Sequence, residues 1–199
     1  MSSLSESGIV LLTGFNRETN ESWILDMEVK FSEYFNPVKL ITYEHWIDPT
    51  LKEVAFKKEQ TKLKEELSAI SSIGRTPYVF AKSIGTVITM SLLMVKEIKP
   101  KACVFVGTPI EAMEQAQINF KNALLATDVP ILFIYKTNEK YGPFSEFSKI
   151  VKSAANPLME LKEVPGDGHN YSDIIDLEKM ALEFYRKYER TKKTLKKVY

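Results

Sequence analysis

The tripeptide Ser-Ile-Gly occurs twice in the sequence, and a serine where a helix begins is a potential nucleophile. The first copy, at Ser72, follows a charged stretch with apolar residues at helical spacing. Gly74 and Pro77 come directly after it and are typical signals for the end of a helix. We therefore interpret Ser72 as part of a helix C-terminus and not as a reactive group.

The second copy, at Ser83, has a different setting. It follows the apolar run YVFAK, which predicts a buried strand, and it opens an apolar run with helical spacing. A chain that passes from strand to helix without a loop must strain its backbone at the serine, and the small neighbours Ala81 and Gly85 allow this. This pattern predicts an outward-facing nucleophilic hydroxyl; the alternative is that Ser83 is only a helix N-cap.

A serine hydroxyl needs a base, and the base needs a group that orients it. The chain has two histidines: His45 comes soon after the second apolar run, and His169 lies in the loop GDGHNY before the final helical segment. Three carboxylates are candidates for the orienting group. Glu139 lies in the turn KTNEKYGP, Asp167 comes two residues before His169, and Asp128 precedes the strand-like run PILFIY.

Apolar runs of strand length alternate with helical segments along the chain. Most are continuously apolar, which is typical of strands buried on both faces of a parallel sheet. The sequence therefore predicts the α/β class, with a mostly parallel six-stranded sheet and helices on both faces. The predicted strands are 8–14, 38–43, 78–82, 102–107, 131–135 and 158–164. The final helix is expected to begin at Ser172 as its N-cap and to bury residues such as Ile175.

Composition limits the classes of function. The 199 residues are 44% hydrophobic and carry a net charge of +1, which favours one globular domain over a nucleic-acid or membrane-surface protein. With Cys103 as the single cysteine, no signal-peptide pattern and no apolar run of bilayer length, we expect a cytoplasmic domain without a membrane span. Residues 1–7 and about 191–199 are expected to be flexible ends, and the basic segment 186–199 is interpreted as a solvated helix end.

Taken in chain order, AKSIG, the turn carboxylate and the late histidine loop resemble the α/β-hydrolase family. The resemblance covers residues 8 to about 190 and implies a Ser83–His169–Glu139 triad. The family pattern Gly-x-Ser-x-Gly has Ala81 in its first position here, and Glu139 stands where aspartate is commoner. His45 is interpreted as a residue of the surface or of the pocket edge.

The resemblance also implies an oxyanion hole after the first strand. In LLTGFNRE, Thr13 stands where the family often has histidine, and the N–H groups of Phe15 and Ile84 become the expected donors. The segment 107–130 is expected to hold one helix and no substantial lid. Trp23, Trp46 and Tyr141 are either pocket or packing aromatics. The predicted substrate pocket comprises Gly14, Asn16, Thr108, Tyr141 and Asn170.

The resemblance implies a serine hydrolase that cleaves a small ester, thioester or amide through an acyl-enzyme intermediate. Its partner would be this small acyl substrate, with no nucleic acid and no cofactor, since neither zinc-site spacing nor a phosphate-binding glycine loop occurs. The alternative is a catalytically silent protein of the same fold that binds a ligand or a regulatory partner. The sequence leaves the oligomeric state open.

Overall fold

The computed structural model describes residues 4–48, 50–51 and 53–195, and from residue 190 onward it describes the backbone alone. Six strands form one sheet in the order β2-β1-β3-β4-β5-β6, and every pair of neighbours is parallel. The predicted sheet is thereby confirmed in strand number and direction. The strands are β1 (Ser7–Leu12), β2 (Val38–Leu40), β3 (Thr76–Lys82), β4 (Cys103–Val106), β5 (Ile131–Asn138) and β6 (Met159–Asp167).

Burial along the strands explains why their sequences are continuously apolar. All residues of β1 and β4 are buried, as are the first five of β5, because helices cover the central strands on both faces. The edge strands differ: β2 is half-buried and most of β6 is exposed. The apolar side chains between these layers form one continuous core.

Helices pack in two groups against the sheet. The first group is α1 and α8, which contact each other; in the second, α3, α4, α6 and α7 contact one another in sequence. The helices are α1 (Arg17–Ser32), α2 (Glu44–Ile47), α3 (Phe56–Ser72), α4 (Ile84–Met94), α5 (Ile110–Gln115), α6 (Phe120–Ala126), α7 (Phe144–Ser153) and α8 (Ile174–Leu195).

The segment 107–130 differs from the prediction, because it contains two short helices, α5 and α6, where one was expected. Gln117 adopts a positive φ of 60° and ends the first helix. Asn119 then caps the second, since its side chain accepts a hydrogen bond from the N–H of Asn122. Neither helix adds a separate domain to the sheet.

The two ends of the described chain also differ from expectation. Residues 4–6 form a 3-10 turn in which Leu4 is buried, and Ser7 begins β1, so the N-terminal flexible end was predicted too long. The backbone of α8 continues to Leu195. The remaining residues of the expected ends, 1–3 and 196–199, lie outside the described residues, as do the side chains of the basic segment from 190 onward.

The start of α8 was predicted one residue early. Asp173, and not Ser172, caps this helix, because its carboxylate accepts a hydrogen bond from the N–H of Asp176 at 3.1 Å. The helix buries Leu177 and Phe184 as expected, but Ile175 is 68% exposed. A helical residue two places before Leu177 lies about 200° around the axis and therefore faces solvent.

Candidate active site

Ser83 stands between β3 and α4 in a strained backbone conformation. Its φ and ψ are 53° and −122°, values that a residue with a side chain rarely adopts. The backbone is held there from both sides, because the Ser83 N–H donates to the Val106 carbonyl at 2.9 Å and the Gly85 N–H donates to the Thr13 carbonyl at 3.2 Å. The hydroxyl therefore projects from a sharp strand-to-helix turn, as the sequence predicted.

Close packing explains the small neighbours of Ser83. A Cβ atom on Gly85 would lie 2.6 Å from the Cβ of Leu12, so only glycine fits where α4 crosses the end of β1. Ala81 is fully buried in β3, in register with Leu12 and Phe105. The alanine that replaces the family's first glycine is therefore accommodated in the middle of the sheet.

His169 and Glu139 complete a hydrogen-bonded chain that begins at Ser83. His169 Nε2 lies 2.7 Å from Ser83 Oγ, and His169 Nδ1 lies 2.8 Å from Glu139 Oε1. A carboxylate only accepts hydrogen bonds, so Nδ1 carries the proton and Nε2 is left as an acceptor for the serine hydroxyl. The order of the three side chains is that of a nucleophile, a base and an orienting acid.

The carboxylate of Glu139 is buried and receives three hydrogen bonds. Besides His169, the backbone N–H of Lys140 donates to Oε1 at 2.8 Å, and the Tyr171 hydroxyl donates to Oε2. Burial by itself would raise the pKa of Glu139, but the hydrogen bonds from His169 and Tyr171 outweigh it and lower the pKa. The acid is therefore held in its charged form beside the imidazole.

The two rival acids lie elsewhere. The carboxylate of Asp167 is exposed and accepts a hydrogen bond from Asn138 Nδ2 at 2.7 Å. Asp128 is paired with Lys99 at 2.6 Å on the surface. Because both carboxylates are engaged away from His169, the structure brings only Glu139, of the three, against the imidazole.

The loop after β1 carries the expected oxyanion donor Phe15. Neither its N–H nor that of Ile84, the first residue of α4, donates to an acceptor within the described part of the chain. Both residues border the cleft in which Ser83 lies. Two unpaired N–H groups beside a nucleophile are the usual donors to a developing oxyanion.

Residues of the segment after β2 hold this loop in place, a role that the sequence did not indicate. His45 Nε2 and Trp46 Nε1 lie 2.7 and 2.8 Å from the Phe15 carbonyl oxygen, so both ring nitrogens can donate to it. The His45 ring also stacks on Phe15, with 4.5 Å between centroids. Tyr43 donates to the Thr13 carbonyl at 2.7 Å. His45, which the sequence placed at the surface or the pocket edge, is half-buried and supports the loop.

Two clefts meet at Ser83 and share Phe15 and Tyr141 as walls. One, on the α1 side, has a volume of about 380 Å³ and also exposes His169. We call it the α1 cleft. The other has a volume of about 310 Å³ and is bounded by α5. An acyl substrate has a group on each side of its carbonyl, and two clefts at one nucleophile can hold the two groups separately.

The predicted pocket residues fall into two sets. Gly14, Asn16, Tyr141 and Asn170 line the α1 cleft, whereas Thr108 lines neither cleft and is buried. The structure therefore does not place Thr108 in either cleft, because its side chain is buried. Asn16 also caps α1, and Tyr141 packs edge-on against His169.

The two tryptophans that the sequence left open between pocket and packing roles are packing residues. Trp23 is buried and donates from Nε1 to the Tyr171 carbonyl at 2.6 Å, which ties α1 to the histidine loop. Trp46 is buried under the loop that carries Phe15. Of the three aromatics considered, only Tyr141 borders the clefts.

Two further residues shape the site without having been predicted. Tyr171 holds the acid, as described above, and no sequence pattern marks it except its place two residues after His169. Gly107 has a φ of 58°, and a Cβ atom there would lie 2.6 Å from the Tyr171 ring and 3.0 Å from His169 Cε1. A glycine that ends a strand ahead of a proline is a signal for such a close approach.

Within the described residues, no group of three or more histidine, cysteine, aspartate or glutamate side chains is arranged to hold a metal ion. No helix in that part of the chain has both the length and the apolar character needed to cross a bilayer.

The architecture is similar to that of known proteins, although the sequence is not. No protein-family model matches the chain, and no curated protein matches it in sequence. The structure is similar to one of the metagenome-derived lipolytic enzymes LipS and LipT, with a TM-score of 0.74, 12% identity and coverage of 94% of this chain and 96% of that one. It is also similar to Est1E from Butyrivibrio proteoclasticus, solved with ferulic acid, with a TM-score of 0.70, 12% identity and coverage of 95% and 92%.

A third similar structure is an α/β serine hydrolase homologue from Coxiella burnetii, with a TM-score of 0.67, 12% identity and coverage of 90% of this chain and 85% of that one. At 12% identity, these three similarities show the fold and not the function. The chain has the α/β-hydrolase fold. Over the residues that the structure describes, this is a small form of the fold with six parallel strands and no substantial lid.

Proposed function

We propose that this protein is a serine hydrolase that cleaves a small ester, thioester or amide through an acyl-enzyme intermediate. The observation that carries the proposal is the chain of two hydrogen bonds, 2.7 Å from Ser83 Oγ to His169 Nε2 and 2.8 Å from His169 Nδ1 to Glu139 Oε1. The strained backbone at Ser83 supports it further, since strain of this kind is found where a functional group must be presented. The similar structures include esterases and lipolytic enzymes, which agrees with this chemistry.

The first half-reaction transfers the acyl group to the protein. Ser83 Oγ attacks the carbonyl carbon while its proton moves to His169 Nε2. The carbonyl oxygen becomes an oxyanion and accepts hydrogen bonds from the N–H groups of Phe15 and Ile84. The tetrahedral adduct then collapses, and the leaving group departs with the proton from His169 Nε2.

The second half-reaction releases the acyl group. A water molecule gives a proton to His169 Nε2 and attacks the acyl carbon, and the same two N–H groups hold the second oxyanion. When this adduct collapses, the carboxylic acid leaves and the proton returns to Ser83 Oγ. Glu139 stays ionised throughout, because it stabilises the imidazolium and does not take its proton.

The experiment that tests the proposal is labelling with a fluorophosphonate probe, which reacts rapidly only with an activated serine. We expect the native protein to be labelled, Ser83→Ala to abolish labelling and Ser72→Ala to leave it unchanged. Ser72 is a matched control, since it is exposed at the end of α3 and its hydroxyl donates to the Ala69 carbonyl at 2.9 Å.

The same measurement distinguishes this proposal from the alternative, a catalytically silent binding protein of this fold. A native protein that folds but is labelled no faster than Ser83→Ala would overturn the hydrolase proposal. Turnover of 4-nitrophenyl esters of increasing chain length then defines the acyl preference of an active protein.

We further propose, first, that the protein is a single folded domain and, second, that it acts in the cytoplasm. A single continuous core supports the first point. Cys103 is buried and free, which is compatible with a reducing compartment and supports the second.

A further inference from the structure

Lys82, the residue directly before the nucleophile, is a buried cation at the wall of the α1 cleft. Its side chain is 3% exposed, yet it borders the same cleft as Ser83 and His169. Nζ donates to Asn20 Oδ1 at 2.8 Å and lies 4.6 Å from the centre of the Trp23 ring. The ammonium is thus held against Asn20 and Trp23 of α1, and Lys82 borders the cleft that contains Ser83.

No ion pair compensates the charge of Lys82 among the residues that the structure describes. The hydrogen bond to Asn20 uses one of the three N–H donors of an ammonium. Glu139 attracts the ammonium electrostatically, but three donors already bind its carboxylate. A buried charge without an ion-pair partner is costly, and an anion that enters the cleft would lower this cost.

The remaining walls of the α1 cleft suit a polar group of the substrate. Asn16, Asn20 and Asn170 border it together with the ring of Tyr141. One buried ammonium balances the single negative charge of a carboxylate, whereas a phosphate group carries a charge of about −1.5 to −2 at neutral pH. Lys140 is the other lysine at this cleft, but its side chain is exposed, so the attraction between it and an anion is screened by solvent.

We propose that Lys82 binds a carboxylate on the part of the substrate that occupies the α1 cleft. The preferred substrates are then esters, thioesters or amides that carry a carboxylate, in addition to the bond that is cleaved. This inference rests on the proposed hydrolase function and specifies the class of substrate for it.

The environment of Lys82 adds a pH dependence to this preference. Burial lowers the pKa of Lys82 to about 8, with attraction from Glu139 opposing and repulsion from Lys136 adding to the effect. Of the other titratable groups at the cleft, His169 serves the reaction of charged and neutral substrates alike, and the exposed charge of Lys140 is screened by solvent. The preference for the charged substrate should therefore fall as the pH rises through about 8, when Lys82 loses its proton.

The test compares matched esters that differ in one charge. Mono(4-nitrophenyl) adipate and 4-nitrophenyl hexanoate differ at the end of the acyl chain, and 4-acetoxybenzoate and its methyl ester differ in the leaving group. We expect native protein to favour the charged member of one pair in kcat/KM, and Lys82→Met to reduce that charged-to-neutral ratio by about ten- to a hundredfold, as for loss of a charged hydrogen bond. Lys140→Met, which removes the exposed charge at the same cleft, should change the ratio by no more than about twofold.

Native protein provides a second measurement that needs no variant. The charged-to-neutral ratio should decrease between about pH 7 and about pH 9, in the same pair that responds to Lys82→Met. A ratio that is independent of pH, and unchanged by Lys82→Met in both pairs, overturns the inference. So does a larger loss in Lys140→Met than in Lys82→Met, because the anion would then bind at the exposed lysine.

Calorimetric titration of Ser83→Ala with adipate separates the two proposals. If Ser83→Ala binds adipate and the Ser83→Ala/Lys82→Met double variant does not, the carboxylate site is supported. If native protein then hydrolyses none of the esters, the proposed hydrolase function is refuted and the carboxylate site is not. If native protein hydrolyses neutral esters and Lys82→Met changes neither the charged-to-neutral ratio nor the binding of adipate, the hydrolase function is supported and the carboxylate site is refuted.

Discussion

Glu139 is the residue whose contacts define its role most sharply, since its carboxylate holds His169 Nδ1 and is itself held by Tyr171. Glu139→Gln replaces a charged acceptor by an amide, which no longer stabilises the imidazolium and can favour the wrong tautomer. We expect kcat for a 4-nitrophenyl ester to fall by about two to four orders of magnitude, by analogy with the loss of a triad carboxylate.

Asp167→Asn is the matched control for this substitution, because it makes the same chemical change two residues before the histidine. Its carboxylate contacts Asn138 and is exposed, so kcat should stay within about threefold of the native value. If Asp167→Asn were the more damaging of the two, the assignment of the acid would have to be reversed.

Among the elements, the short helix α2 and the loop after β1 act together. His45 and Trp46 both contact the carbonyl oxygen of Phe15, whose N–H is an expected oxyanion donor. His45→Phe and Trp46→Phe each keep a ring and remove one of these hydrogen bonds. We expect each to lower kcat by up to about tenfold with little change in KM, and the double variant to lose more than either alone, because one remaining bond still orients the loop.

Glu44→Gln is the control on the same helix. The Glu44 carboxylate pairs with Lys62 and Lys58 and, among the described residues, forms no hydrogen bond or ion pair with the loop after β1, so kcat should be unchanged. A normal kcat in the His45/Trp46 double variant would show that α2 does not support the oxyanion donor. If His45→Phe, Trp46→Phe and the Glu44→Gln control all lowered kcat by a similar factor and also lowered the melting temperature, the cause would be general damage to the fold.

At the scale of the whole molecule, one continuous core predicts that the protein unfolds in a single step. Cys103 reports on this, since it is fully buried in the central strand β4 and burial raises the pKa of its thiol. In a denaturant titration, reaction with a disulfide reagent should begin at the concentration where circular dichroism changes. Ser72→Cys, which places a thiol on the surface, should react at once in the native state.

Thiol reactivity that appears well before the loss of circular dichroism would contradict a single cooperative domain. It would mean that the strands around β4 open separately from the rest of the sheet.

Features that depend on neighbours along the chain could be predicted from the sequence. Strands buried on both faces must be continuously apolar, so their positions along the chain and the fold class could be predicted from the sequence. Ser83 could be told from Ser72 for the same reason, because a strand precedes one and a charged helix the other. The two short helices in 107–130 were missed, since the break between them depends on a positive φ at Gln117 that no residue type there signals.

Which groups far apart in the sequence meet could be learned only from the folded chain. Glu139 and Asp167 both lie near the loop that carries His169. The pairing of β5 with β6 places Asn138 beside Asp167, so the Asp167 carboxylate faces solvent. The Glu139 carboxylate contacts His169 instead. The burial of Lys82 beside Asn20, 62 residues away in sequence, has the same origin. Contacts between residues far apart depend on strand register and on how helices pack, and no local pattern of residues encodes them.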